Sequence, residues 1–166
     1  LLCLLAGTLY AVCLSACDAK EPLSENRDAE IESPVIANDL SNQKVTAIAE
    51  DTQGHIWIGT FRGLNKNNVH DYHQYFCTDD SLGLPDNQIT HLLRDSKNRF
   101  WVGTVNGVCL YTDKDNFRII PIEADNKNVR QILEDRNGRI FLNTGFQLYA
   151  YHPREEKITC VLPEIS

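Results

Sequence analysis

The chain has 166 residues, of which 42% are hydrophobic and 23% are charged, and its formal net charge is -7. This length and composition are typical of a globular protein of about one domain. The acidic excess is concentrated in residues 18–40, which carry seven acidic and two basic side chains. The remainder is close to neutral and lacks the basic surface of a nucleic-acid-binding domain, so we expect no nucleic-acid partner.

The first element in chain order is a predicted export signal, residues 1–17. The run LLCLLAGTLYAVCLSA carries no charge and is shorter than the roughly 20 residues of a membrane-spanning helix. Its end, Leu14-Ser15-Ala16-Cys17, resembles the lipobox of bacterial lipoproteins, in which the cysteine is lipidated and becomes the first residue. We therefore expect lipidation at Cys17, attachment to a membrane through this N-terminal anchor, and a periplasmic or cell-envelope location. An uncleaved signal-anchor and a chance cysteine, like Cys3 and Cys13, are the alternatives.

Residues 18–40 are predicted to be an acidic, flexible tether. The segment has two prolines and almost no apolar periodicity, which is typical of chains that bury too little apolar surface to fold. Such a tether would hold a following domain away from a membrane surface.

The rest of the chain contains one phrase three times. EDTQGHIWIGTFRGL (50–64) returns as RDSKNRFWVGTVNGV (94–108) and as EDRNGRIFLNTGFQL (134–148), at offsets of 44 and then 40 residues. A period of about 40–45 residues is typical of the four-stranded blades of a β-propeller. The matching positions are Val45, Ile89 and Val129; Asp51, Asp95 and Asp135; Trp57, Trp101 and Phe141; and Thr60, Thr104 and Thr144.

Each repeat divides into four short strand-like runs separated by turn residues. We predict an all-β fold with three four-stranded antiparallel blades, at 41–88, 89–128 and 129–166. Propellers close with about 4–8 blades, so we expect an incomplete propeller of seven blades in all, from a longer protein. Two observations support a longer protein: the chain contains no methionine, and Leu162-Pro163 matches Leu84-Pro85, the link between the first two repeats. The predicted strands are 45–50, 55–60, 63–67, 71–76, 89–94, 99–104, 107–112, 117–122, 129–134, 139–144, 147–151 and 157–162.

The repeated residues are interpreted as structural. Gly54, Asn98 and Gly138 follow the three aspartates and tolerate the positive φ that a tight hairpin needs. We expect the aspartates to cap these turns; calcium loops are the alternative, although each loop has only one carboxylate. We expect Trp57 and Trp101 to pack between blades, with stacking on sugar rings as the alternative.

No catalytic, cofactor-binding or metal-binding residue is assigned, because no nucleophile-elbow, zinc-protease or phosphate-loop motif occurs. His70 and His73 have the spacing of a metal pair only on a helix, and here they fall on a loop and a strand. Tyr72, His73 and Tyr75 lie near a predicted blade edge, where they are freer to contact a ligand. We expect the three body cysteines to be buried as small apolar side chains: Cys77, Cys109 and Cys160.

The phrase VTAIAEDTQGHIWIGTFRGL, with LPDNQITHLLRDSKNRFWVGTVNGV, resembles the two-component regulator propeller repeat. The resemblance extends over residues 42–166, but the third copy departs, with Asn143 and Gln147 in place of glycines. It implies an extracytoplasmic sensor of a hybrid two-component system of the Bacteroidetes type, followed by a membrane span and a histidine kinase. It also implies an oligosaccharide or another glycan-derived ligand, and we expect a homodimer of the full-length protein. The alternatives are a secreted enzyme on a propeller scaffold, such as a polysaccharide lyase or glycosidase, and an envelope scaffold lipoprotein.

Overall fold

The computed structural model describes residues 34–78, 83–112 and 114–162. The predicted signal, Cys17 and most of the predicted tether lie outside these residues. The described residues form strands and turns, and no helix among them is long and apolar enough to cross a membrane. The strands are β1 (Val35–Ala37), β2 (Val45–Glu50), β3 (Ile56–Thr60), β4 (Gly63–Asn68), β5 (Asp71–Tyr75), β6 (Ile89–Arg94), β7 (Phe100–Thr104), β8 (Gly107–Tyr111), β9 (Phe117–Ile120), β10 (Gln131–Glu134), β11 (Ile140–Asn143), β12 (Leu148–His152) and β13 (Lys157–Leu162).

Three antiparallel sheets correspond to the three repeats. Strands β2 to β5 form the first sheet in sequence order, β6 to β9 the second and β10 to β13 the third. Equivalent residues take equivalent places in the register: Ala49 pairs with Trp57, Leu93 with Trp101 and Leu133 with Phe141. The prediction of an all-β fold with three four-stranded propeller blades is confirmed.

Strand β1 is a fifth strand that the sequence did not predict. It lies antiparallel to β5, with Ile36 opposite His73, so the first sheet runs β1-β5-β4-β3-β2. The prediction that all of residues 18–40 form a flexible tether is therefore wrong for Val35–Ala37. A short Val-Ile-Ala run has strand propensity, and the free backbone groups of β5 give it a pairing partner.

The core consists of two interfaces between neighbouring blades. Trp57 of the first blade is fully buried and contacts the second blade, with ring centroids 5.1 Å from Phe100 and 4.7 Å from Tyr111. Trp101 repeats this arrangement one blade later, 4.9 Å from Tyr151. The first and second blades thus each bury a tryptophan against the following blade, which explains why the repeat unit needs a neighbour.

Glycines on the second strands permit this close approach of the blades. A Cβ atom at Gly59 would lie 2.5 Å from Ile89 Cγ2 of the next blade, and one at Gly103 would lie 3.1 Å from Val129 Cγ1. The third repeat has Asn143 at this position, where the side chain is exposed. The first two repeats therefore need a glycine for a steric reason that does not apply to Asn143 in the described part of the chain.

Candidate functional site

The three predicted aspartates are bound within their own turns. Asp95 Oδ1 accepts hydrogen bonds from the backbone N–H groups of Lys97 (3.0 Å) and Arg99 (2.9 Å), and its Oδ2 accepts one from Trp101 Nε1 at 2.8 Å. The turn residue Asn98 has a φ of 62°, in the left-handed region. One carboxylate therefore fixes both the turn and the rotamer of the buried indole.

Asp51 makes the same contacts in the first repeat. Its Oδ1 accepts from the N–H groups of Gln53 (2.8 Å) and His55 (3.0 Å), and its Oδ2 accepts from Trp57 Nε1 at 2.9 Å. Burial alone would raise the pKa of Asp51, but the hydrogen bonds from Trp57 and the backbone outweigh it, so the pKa lies below its ordinary value. The link between aspartate and tryptophan was not predicted, although both residues recur six positions apart.

Asp135 keeps the turn contacts without an indole partner. Its Oδ1 accepts from the N–H groups of Asn137 and Arg139, both at 2.9 Å, and Arg139 Nε donates to Oδ2 at 2.7 Å. Phe141 stands in the place of tryptophan and has no N–H to donate. The Arg139 guanidinium instead lies 5.4 Å from the Phe141 ring centroid. The three aspartates thus stabilise their turns, and Trp57 and Trp101 pack in the two blade interfaces.

A cation lies between aromatic rings at each described interface. Lys66 Nζ is 5.3 Å from the Trp57 ring and 5.5 Å from the Tyr111 ring. At the next interface the Arg99 guanidinium is 5.1 Å from Trp101 and 5.2 Å from Tyr151. Cations over ring faces are attracted by the ring quadrupole. The sequence did not reveal this arrangement because Lys66 and Arg99 occupy different positions of the repeat.

The remaining predicted residues have mixed outcomes. His70 lies in the turn before β5, and His73 Nε2 lies 4.0 Å from Asp71 Oδ1; within the described ranges no three potential ligands form a metal site. The expectation that Tyr75 is free to contact a ligand is wrong. Its side chain is buried and its hydroxyl donates to Asp115 Oδ1 at 2.6 Å. Tyr72 and His73 are partly buried on β5, which β1 covers.

The cysteine prediction holds at one position only. Cys109 is buried in the first blade interface, and burial raises the pKa of its thiol well above the ordinary range. Cys77 and Cys160 are exposed, so the prediction that all three are buried is wrong. Cys77 follows the last strand of the first blade and Cys160 lies on the outermost strand of the third, where the number of covering neighbours is smaller.

A cleft of about 370 Å³ lies at the end of the blades opposite the aspartate turns. Residues from all three blades line it, and we call it the mouth. Equivalent positions of the repeat meet there: the residues on either side of Val45, Ile89 and Val129 and, in the first two blades, the residue after the second strand. The mouth is lined by Lys44, Thr46, Phe61, Gln88, Ile89, Thr90, Val105, Asn128 and Arg130.

Local turn chemistry sets the backbone at the mouth. The side-chain oxygens of Asn42, Asp86 and Asn126 accept hydrogen bonds from the N–H groups two residues on, at 2.9, 2.7 and 3.0 Å. Asn and Asp side chains commonly stabilise turns through this hydrogen bond to the backbone. In the first two blades the register shifts at Thr46 and Thr90, and bulges of this kind redirect side chains at propeller and barrel rims. The repeated Asn or Asp was a sequence signal that the prediction missed.

The mouth is cationic and contains an unpaired acceptor. Lys44 Nζ lies 4.2 Å from the centroid of the Phe61 ring, and Arg130 adds a second positive charge at the rim. None of the described residues that line the mouth carries a carboxylate. Asn128 Oδ1 is buried and has no hydrogen-bond partner among the described residues, a state that costs about 1–3 kcal/mol. A ligand hydroxyl group that reaches this shielded atom would recover this energy.

The comparison with known proteins agrees with this architecture. The sequence model of the family described as Two component regulator propeller matches residues 39–62 and 83–106, in the first and second repeats. No curated protein matches the chain. Among solved structures, the extracellular domain of the proposed hybrid two component system BT4673 from B. thetaiotaomicron is 26% identical, with a TM-score of 0.62; the alignment covers 70% of this chain and 16% of that one.

Two further structures share the fold. The extracellular domain of BT3049 from B. thetaiotaomicron is 24% identical, with a TM-score of 0.63. The alignment covers 78% of this chain and 19% of that one. Virginiamycin B lyase from Staphylococcus aureus is 20% identical with a TM-score of 0.58, and 78% of this chain covers 45% of it. The chain thus spans less than a fifth of the two extracellular domains. The two component regulator propeller model thus matches part of each of the first two repeats, and the third repeat forms a four-stranded antiparallel sheet like the second.

Proposed function

We propose that this chain is part of an exported, ligand-sensing propeller in a two-component signalling protein with a histidine kinase. The family match and the likeness to extracellular domains of hybrid two component systems support this role. The observation that carries the binding role is the mouth, where three blades present variable polar side chains around the buried, unpaired Asn128 Oδ1. A sensor needs a site of this kind on a rigid scaffold.

The chemistry of the mouth favours a saccharide or another hydroxyl-rich ligand. A hydroxyl can donate to Asn128 Oδ1 and accept from Lys44, Arg130 or Gln88. The Phe61 ring is 40% exposed and offers an apolar face to the C–H side of a sugar. The volume of about 370 Å³ lies within the usual range for small-molecule sites.

Calorimetric titration of the exported protein with a panel of neutral and acidic oligosaccharides tests this proposal. The matched variants are Asn128→Leu at the mouth and Lys97→Ala at the opposite end of the blades. The leucine removes the acceptor for the ligand hydroxyl group, so we expect oligosaccharide binding to weaken by at least about tenfold. Because this buried acceptor is unpaired in the free protein, we expect no loss of thermal stability. The Lys97→Ala variant should bind like the wild type.

The outcomes separate the candidate functions. Failure of every oligosaccharide to bind, or unchanged binding by the Asn128→Leu variant, would overturn the assignment of the mouth. Cleavage of an oligosaccharide during the titration would instead support the enzyme on a propeller scaffold. Ligand-dependent autophosphorylation of the full-length protein is the expected signalling result, and binding without it would favour the envelope scaffold.

A further inference from the structure

A second cleft, of about 350 Å³, lies between the first and second blades at the end that carries the aspartate turns. We call it the interblade cleft. It is independent of the mouth because the two clefts lie at opposite ends of the strands and share no residue. Its lining includes Asp51, Lys66, Arg94, Tyr111, Lys114 and Asp115.

Three cations in this cleft have no ion-pair partner among the described residues. Lys66 is partly buried, with its ammonium held over the rings of Trp57 and Tyr111. Arg94 Nη1 donates to the backbone carbonyl of Asp51 at 3.1 Å, which leaves its other N–H groups available. Lys114 is exposed at the rim. An ammonium has three hydrogen-bond donors and a guanidinium five, so the cleft offers many unused donors.

The two carboxylates of the cleft are already engaged. Asp51 accepts three hydrogen bonds from its own turn and from Trp57, as described above. Asp115 Oδ1 accepts from the hydroxyl groups of Tyr75 (2.6 Å) and Tyr111 (2.9 Å). These bonds keep both carboxylates ionised, and the Asp115 carboxylate also interacts electrostatically with Lys66. Three cations and two carboxylates therefore give the cleft a formal charge of +1, which favours an external anion.

The next interface shows that the repeat does not require these cations. Leu110 takes the place of Lys66, and Glu134 takes the place of Arg94. Glu134 also contacts the preceding blade, where its Oε2 accepts from the Ser96 N–H at 2.8 Å. The position therefore serves the blade interface with either sign of charge. The cation between the rings of the next interface, Arg99, is paired with Asp95, unlike Lys66.

We propose that the interblade cleft binds a small organic anion, such as a sugar acid or sugar phosphate, through Lys66 and Arg94 with Lys114 at the rim. Hydrogen bonds between charged partners are shorter and stronger than neutral ones. The half-buried position of Lys66 reduces screening by solvent, so its contribution exceeds that of a surface lysine. The shared chemistry is an oxyanion on a hydroxylated carbon skeleton.

Tryptophan indole N–H signals in the NMR spectrum of the full chain test the proposal. The chain has only two tryptophans: Trp57 lies directly beneath Lys66, and Trp101 lies in the next interface and serves as the internal reference. Glucuronate, glucose 6-phosphate and inorganic phosphate are the probes, with glucose as the neutral control. We expect a saturable shift of the Trp57 signal by at least one sugar anion, little change at Trp101, and no shift with glucose.

Variants then assign the binding groups. Lys66→Met retains an unbranched side chain over the rings, and Arg94→Glu installs the charge found at the equivalent residue 134. Each should weaken binding by at least about tenfold, the loss expected for a hydrogen bond between charged groups. Lys114 is exposed, so Lys114→Gln should leave the fold intact and weaken sugar-anion binding by a smaller factor. The Lys97→Gln control should leave the affinity for the sugar anion unchanged.

Four results would overturn the proposal. The first is the absence of a saturable Trp57 shift with both sugar anions. The second is an equal shift of both indole signals. The third is unchanged affinity in the Arg94→Glu and Lys114→Gln variants. A response to inorganic phosphate equal to that of glucose 6-phosphate would also contradict it, because the sugar skeleton would then contribute nothing.

Discussion

Replacement of Trp101 by alanine gives the sharpest test of how neighbouring blades hold each other. The side chain is fully buried, packs against Tyr151 at 4.9 Å and donates its indole N–H to Asp95. We expect the free energy of unfolding to fall by about 3–5 kcal/mol, the usual cost of deleting a buried aromatic side chain. Phe141→Ala, at the matched position of the third repeat, should cost less than about 2 kcal/mol because Phe141 is only partly buried.

Trp101→Phe separates the hydrogen bond from the packing. The phenyl ring fills much of the space but leaves Asp95 Oδ2 without the indole donor, which should cost about 1.5–3 kcal/mol because the acceptor is charged. Burial by itself raises the pKa of Asp95, but hydrogen bonds from Trp101 and Arg99 lower it below its ordinary value. The ionised Asp95 therefore contributes to the free energy of unfolding. This contribution is fully present above the ordinary pKa of about 3.9 and is lost as the pH falls through the folded-state pKa.

Urea unfolding of the wild type and the three variants, followed by circular dichroism between pH 7 and pH 2.5, provides the measurement. The difference between wild type and Trp101→Phe should be largest above about pH 4 and should shrink at lower pH, because protonation removes the charged acceptor in both proteins. A loss below about 1 kcal/mol for Trp101→Ala would show that the indole does not stabilise the interface. A difference that grows on acidification would contradict the role assigned to Asp95.

Two further predictions concern the glycine contact and the N-terminal anchor. Gly59→Ala should destabilise the protein by about 1–3 kcal/mol in urea unfolding through overpacking against Ile89, whereas Asn143→Ala, at the matched exposed position, should cost at most about 1 kcal/mol because it removes only the hydrogen bond that Asn143 Oδ1 accepts from the Gly145 N–H; an equal or larger loss at residue 143 would remove the steric argument. Mass spectrometry of the mature protein should find a diacylated Cys17 as its first residue, because stable anchoring requires two lipid chains. The Cys17→Ser variant should leave the precursor uncleaved. An intact segment 1–16 on the wild-type protein would establish a signal-anchor instead.

The mouth and the interblade cleft show the limit of prediction from this sequence. Thr46, Thr90 and Arg130 are matching positions of the repeat at offsets of 44 and 40 residues, and only the stacking of the blades places them around one cleft. Lys66 and Arg99 both lie between two rings, but they come from different strands of their repeats. Contacts of this kind depend on the distance between sheets, which periodicity does not specify.

The sequence alone determined the blades. The signals are local: short apolar runs, turn residues at fixed intervals, and a phrase repeated at offsets of 44 and 40 residues. Strand pairing within a blade is also local. The twelve blade strands could therefore be placed from the sequence. Tertiary structure alone decided that Val35–Ala37 joins the first sheet, that Tyr75 is buried beside Asp115, and that Cys77 and Cys160 are exposed. Each of these depends on which surface another segment covers, and burial by a distant segment leaves no periodic trace in the residues that it covers.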